Sequence, residues 1–231
     1  MDSNKWISRI AGILILTGMV AGLISIVPSV ESVDFLKEVY PDRNQVLIGA
    51  VFQFLLVPIY IGFALVLFKT LKSQNETSAI GFVGFRLIAG VFQLIGVILL
   101  PLFIYLSKLY LISTGEGLEY YVSLGEMLKI VRDLTNHVGV MAATGLGNLL
   151  LYHVLFSGKF IPKWLSVWGI LGNILLILAS FLILFQIVNV ISTAYIAITV
   201  PLVLQELIFA IWLIIKGLDL EYIKQNRNYK K

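Results

Sequence analysis

Residues 194–216 read AYIAITVPLVLQELIFAIWLIIK, an apolar run interrupted only by Pro201 and by the adjacent pair Gln205 and Glu206. At ~1.5 Å per residue a helix of this length crosses a hydrocarbon layer ~30 Å thick, so the stretch decides for a membrane fold. A carboxylate inside such a run is costly. Even lenient insertion scales charge roughly 2.5–3.5 kcal/mol for it, so Glu206 is expected to have a partner, a wet cavity or a bound proton. One basic residue occupies a comparable apolar run: Arg86, in residues 79–100, AIGFVGFRLIAGVFQLIGVILL. These two residues are the expected centre of the molecule.

Working outward, the whole chain has the same character. Of its 231 residues 59% are hydrophobic and 13% charged, against about 45–50% and about 25% in soluble domains, which excludes an ordinary soluble fold. Cysteine is absent, which removes disulfides, thiolate metal sites and cysteine nucleophiles. The formal charge of +4 raises nucleic acid as a partner, but basic residues also gather on the cytoplasmic flanks of membrane spans.

The apolar runs predict an all-α polytopic membrane bundle of six transmembrane helices within a single domain, 1–231, with spans at about 10–30, 45–68, 79–106, 137–156, 164–185 and 194–216. The first lacks a small-x-small cleavage pattern and is read as a retained span. Between the third and fourth, Leu124, Met127, Leu128 and Val131 recur at helical spacing opposite Glu119, Ser123, Glu126 and Asp133. That pattern predicts a helix over 118–133, either lying at the interface or leading into the fourth span. Gly139, Ala143 and Gly147 recur every fourth residue, a seam for close packing. Asn75, Glu76 and Thr77 match a glycosylation sequon that the topology places on the cytoplasmic side.

With six spans, the N-terminal segment, the second and fourth connections and the tail together hold eleven Lys and Arg, while the opposite side holds five. The positive-inside rule therefore places both termini in the cytoplasm, an N-in/C-in topology. Topology accounts for the basic charge, and no nucleic-acid partner is needed.

Five segments, RIAGILILTG, NQVLIGAVFQFL, GFVGFRL, IPKWLSVWGILG and QELIFAIWLIIKG, occur in this order along the chain. Together they resemble the bacterial multi-pass membrane family catalogued as domain of unknown function 4386. The resemblance implies a polytopic protein of a bacterial cell membrane and carries no activity, substrate or catalytic residues. Arg86 and Glu206 both fall inside the matching segments.

Counted from the cytoplasmic end of each span at the ~1.5 Å helical rise, Arg86 lies about 10 Å deep, and Asn148, Asn173 and Glu206 about 14–15 Å. Four spans thus contribute polar groups to one layer, joined by Gln205 beside Glu206. Arg86 and Glu206 are expected to pair across the third and sixth spans, with Asn148 and Asn173 taking up the remaining donors and acceptors. Each asparagine ends a Leu-Gly-Asn triplet whose glycine admits a neighbouring backbone. Gln53 and Gln93, at outer depths of about 21–24 Å by the same rise, are expected to hydrogen-bond between the second and third spans.

The two histidines invite a metal or haem reading that their spacing resists. His137 and His153 are ~24 Å apart along one helix and point ~160° apart, so one ion cannot take both. Asp133 and His137 share a face at i, i+4, suited to orienting an imidazole, with no third ligand in view. No metal or other cofactor is expected. Serine-hydrolase, zincin, Walker and dinucleotide signatures are absent.

Two classes of function follow. The first is a membrane binding, accessory or sensing protein whose polar layer is structural and whose partners are membrane lipids, a packing helix or a second copy, the small-molecule ligand being unknown. The second is a small transporter or channel using Arg86 and Glu206 as a coupling pair, with Pro58, Pro101 and Pro201 freeing carbonyls beside the path. An intramembrane enzyme ranks third, for want of a nucleophile and a base.

Overall fold

The computed structural model describes residues 3–114, 117–190 and 192–219; the basic tail expected beyond them lies outside the described residues. The elements are α1 (Ser3–Ile24), α2 (Pro28–Glu31), α3 (Phe35–Glu38), α4 (Arg43–Lys72), α5 (Glu76–Ile112), α6 (Leu118–Asp133), a π-helical stretch (Leu134–Val140), α7 (Met141–Ser157), α8 (Lys163–Leu184) and α9 (Thr193–Ile215). Among the described residues, six helices are long and apolar enough to cross a membrane, the fourth running unbroken from Leu118 to Ser157.

The first and third spans differ from the sequence reading in where they end. The first span ends at Ile24 instead of continuing to residue 30. Pro28 cannot donate to a continuing ladder, so the chain turns and restarts as α2 with that proline in its first turn. Helix α5 runs from Glu76 to Ile112, beyond the expected 79–106. The helix over 118–133 has the expected bounds and follows the second of its two readings, leading into the fourth span. It continues through the π-helical stretch into α7, and Gly125 packs under Phe35 and Leu106. At ~1.5 Å per residue, α5 and the α6–α7 helix are each longer than a ~30 Å hydrocarbon layer, so both project past it.

Helix α5 starts at Asn75, whose side-chain oxygen accepts from the Ser78 backbone N–H at 2.9 Å. The residue that resembles a glycosylation acceptor is thus an N-cap. Asn75→Ala is expected to cost about 1 kcal/mol, read as a lowered unfolding midpoint in detergent.

The spans pack as a closed ring, in the order α1, α4, α5, α7, α8, α9 and back to α1. The first and last described helices therefore begin and end at one end of the bundle, called the terminal end, where the Leu218 N–H donates to Ser8 Oγ at 3.1 Å and the Asp219 N–H to the Phe160 carbonyl at 2.9 Å. The anticipated seam is real: Gly139 faces Phe92 and Gly147 faces Phe85, both on α5. The outside of the ring is apolar, with Ile98 63% and Leu171 56% exposed, the pattern of a lipid-facing surface.

Two apolar cores hold the ends. At the terminal end Phe63, Phe82, Leu151, Tyr152, Phe209 and Leu213 pack together. At the far end Val27, Phe35, Val46, Leu100 and Phe103 do so. The polar layer borders the terminal core, whose Phe63, Phe82 and Tyr152 touch its side chains.

Candidate functional site

Arg86 is 5% exposed and ringed by aromatic faces, its guanidinium carbon 5.3 Å from the Tyr60 ring centre and 5.5 Å from those of Phe63 and Phe82. Such stacking suits a weakly hydrated guanidinium in a way it would not suit a lysine ammonium. Its Nη2 donates to Asn148 Oδ1 at 2.6 Å, Asn148 Nδ2 donates to Asn173 Oδ1 at 3.0 Å, and Asn173 Nδ2 donates to the Gly169 carbonyl at 2.7 Å. A charge on α5 is thereby relayed through amides on α7 and α8 to a backbone oxygen. The Leu-Gly-Asn triplets behave as expected, with Gly147 against Phe85 and Gly172 against Leu202.

A second chain joins α7, α9 and α8. The Tyr152 O–H donates to Gln205 Oε1 at 3.0 Å, and Gln205 Nε2 donates to the Leu165 carbonyl at 3.3 Å. Tyr152 is fully buried against Phe209, and Gly169 leaves room for its ring, where a Cβ would lie 2.6 Å from three ring atoms.

Glu206 departs from the expectation. It makes no ion pair with Arg86 among the described residues, whose ion pairs are Lys37–Asp34, Lys72–Glu76 and Arg132–Glu31. The two charges act on each other through space and both face Asn148, and both line one opening. Asn148 holds the guanidinium where the carboxylate was expected to. The Arg86 Nε is buried without a partner.

The opening is a cavity of about 290 Å³, with Arg86 and Glu206 at its floor and Tyr60, Gln93, Thr144 and Thr199 adding polar groups. Its walls are apolar, with Leu56, Val57, Leu176 and Leu202 prominent. Toward the terminal end, a void of only about 10 Å³ continues between Arg86, Asn148, Tyr152 and Glu206, scarcely room for one water. Beyond it the packed terminal core closes the bundle.

The outer candidates separate. Gln53 does not meet Gln93; its Nε2 reaches the Ser25 carbonyl at 3.5 Å, and its Oε1 is buried without a partner, while Gln93 lines the cavity. The early end of α1 causes this, because the freed carbonyl of Ser25 now lies beside α4. His137 Nδ1 is 2.8 Å from the Tyr195 hydroxyl, which also contacts the Met141 sulfur at 2.9 Å. Asp133 faces instead a far-end space of about 590 Å³ with Glu31, Lys129 and Asn189.

Sequence reasoning missed Tyr60, Tyr152, Thr144 and Thr199. Tyr152 had a usable signal, standing one helical turn from Asn148 on the same face of its span. Tyr60 had none, since an aromatic in an apolar run looks like any other packing residue.

A six-helix polytopic bundle with a buried polar layer, opened on one side into a charged-floored cavity, is the class that this fold and site define. Within that class, the chain belongs to the family described as Domain of unknown function (DUF4386), whose model matches residues 10–217. No curated protein and no solved structure matches it.

Proposed function

We propose that the protein is a membrane-embedded binding protein that holds a small polar or amphiphilic molecule between Arg86 and Glu206. The observation that carries this reading is that two opposite charges stand at the floor of one cavity and make no ion pair with each other. Buried opposite charges with nothing between them normally close to contact, since each carries a desolvation cost of several kcal/mol. A layer with a purely structural role would be expected to pair them directly. Here the asparagine relay does the structural work, and Glu206 remains turned to the open space.

The assignment of both termini to the cytoplasmic side rests on the surplus of Lys and Arg on that side of the chain. Native purification followed by mass spectrometry tests the binding reading. A small molecule retained in fixed proportion, and lost in Glu206→Gln, is the expected result. Retention of nothing beyond bulk detergent and lipid, across several mild detergents, would remove it.

Transport is the second reading, favoured by Pro58 and Pro201. Each leaves a carbonyl, of Phe54 and of Ala197, without its helical donor, next to the cavity residues Val57 and Leu202. The packed terminal core argues against an open channel, so movement of a ligand through the protein would require alternating closure. Substrate-dependent flux in proteoliposomes would establish it.

A further inference from the structure

The cavity's charges, its size and its lateral mouth together restrict what can occupy it. Among the described residues that line it, only Arg86 and Glu206 are charged. A ligand with net charge would satisfy one and leave the other facing an uncompensated partner in a poorly screened interior. A zwitterion satisfies both. Arg86 has the capacity for another acceptor, since among the described residues its guanidinium makes one side-chain hydrogen bond, to Asn148, and its Nε has none.

The space of about 290 Å³ equals roughly ten waters at about 30 Å³ each, enough for a head group and too little for a whole lipid. What lies beyond the head group must leave by the mouth. Helix α1 crosses the gap between α4 and α9: its Gly12 packs on Ala210 and Leu213 near the terminal end, and its Gly18 on Tyr60. Past its end, Val27 seats against Gly49 of α4. Toward the far end α1 has therefore leaned onto α4, and the outer halves of α4 and α9 are left without a bridge between them. Val203, on the cavity wall, is 51% exposed at this mouth, with Val200 44% exposed one turn away on the same apolar surface. A mouth rimmed by such residues opens into hydrocarbon, not into water.

We infer that the ligand is a zwitterionic amphiphile, its acidic group on Arg86, its ammonium on Glu206 and its single hydrocarbon chain leaving between α4 and α9. This rests on the binding reading above and names the chemistry of the ligand.

The test uses the full chain, purified in non-ionic detergent and washed free of lipid, with four probes: lysophosphatidylethanolamine, lysophosphatidic acid of the same chain length, a long-chain alkylamine, and chainless glycerophosphoethanolamine. Binding is read as a shift of the unfolding midpoint and as an adduct in native mass spectrometry. The zwitterionic lysolipid is expected to bind most tightly, and to weaken by roughly thirtyfold or more in Arg86→Gln and in Glu206→Gln, the low end for losing one partner of a buried charge pair. The selectivity of the wild-type protein carries the test should Arg86→Gln fail to fold. Lysophosphatidic acid binding as tightly as the zwitterion, or losses confined to Arg86→Gln, would overturn the inference in favour of an anion site. Equal binding of the chainless head group would overturn the part of it that assigns a lipid. Binding of none of the four, with no molecule retained from native membranes, would overturn the binding reading itself.

Discussion

Replacing Asn148 with leucine is expected to destabilise the bundle by about 3–5 kcal/mol, the cost of removing one partner from a buried charged interaction. Asn148 accepts from the Arg86 guanidinium and donates to Asn173, so a side chain of similar bulk without an amide breaks two buried hydrogen bonds. The more damaging consequence is an Arg86 whose remaining neighbours are three aromatic rings and a carboxylate with which it makes no ion pair. Arg86→Met should be milder, because it removes the charge together with its need for a partner. The double variant should then recover much of the loss, giving a coupling of about 2–3 kcal/mol in a double-mutant cycle. Reversible unfolding in bicelles or mixed micelles measures all four states. Additive single effects would mean that the guanidinium does not depend on Asn148. Exchange of charge between positions 86 and 206 is not expected to rescue, since the guanidinium's contact is an asparagine on α7 and an arginine on α9 would not inherit it.

How much of this was legible in the chain follows from what each signal measures. Span number and type follow from the absence of water in the bilayer, which any run of about 20 apolar residues records, and the six predicted runs each contain a helix. Depth along a span is nearly as legible, because the helical rise is fixed; Arg86, Asn148 and Asn173 therefore join in one layer, with Gln205 alongside. Azimuth is not legible in that way. Glu206 and Gln205 are neighbours in sequence ~100° apart around α9, and it is Gln205 that turns into the core while Glu206 turns to the cavity. The lateral mouth follows from the course of α1, whose contacts pass from α9 at Gly12 to α4 at Gly18, and no residue pattern announces that course. Boundaries failed where a single proline outweighed hydropathy, as at Pro28.

The far end supplies the second large effect. Arg132 is one of the five basic residues counted on the far side, yet it is 7% exposed, hydrogen-bonded through Nη1 to Glu31, with its Nε buried and unpartnered. The pair joins the end of α2 to the end of α6 across 101 positions of sequence, and Lys129 reinforces it by donating to the Ser32 carbonyl at 3.3 Å. Charge counting along a chain cannot see a pairing of that separation. Glu31→Gln is expected to cost about 3 kcal/mol, the low end for breaking a buried pair, since Glu31 keeps 32% of its side chain exposed. Arg132→Met should cost less, as it withdraws the buried charge along with its partner's task. The loss should be local, with faster hydrogen exchange over α2, α3 and α6 in Glu31→Gln, while the amides around Asn148 keep their wild-type protection. Neither residue lines the Arg86 cavity, so ligand retention should survive Glu31→Gln and be lost in Asn148→Leu. Equal loss of retention in both variants would show that the far-end clasp holds the cavity in shape, and that the two halves of the bundle are one cooperative unit.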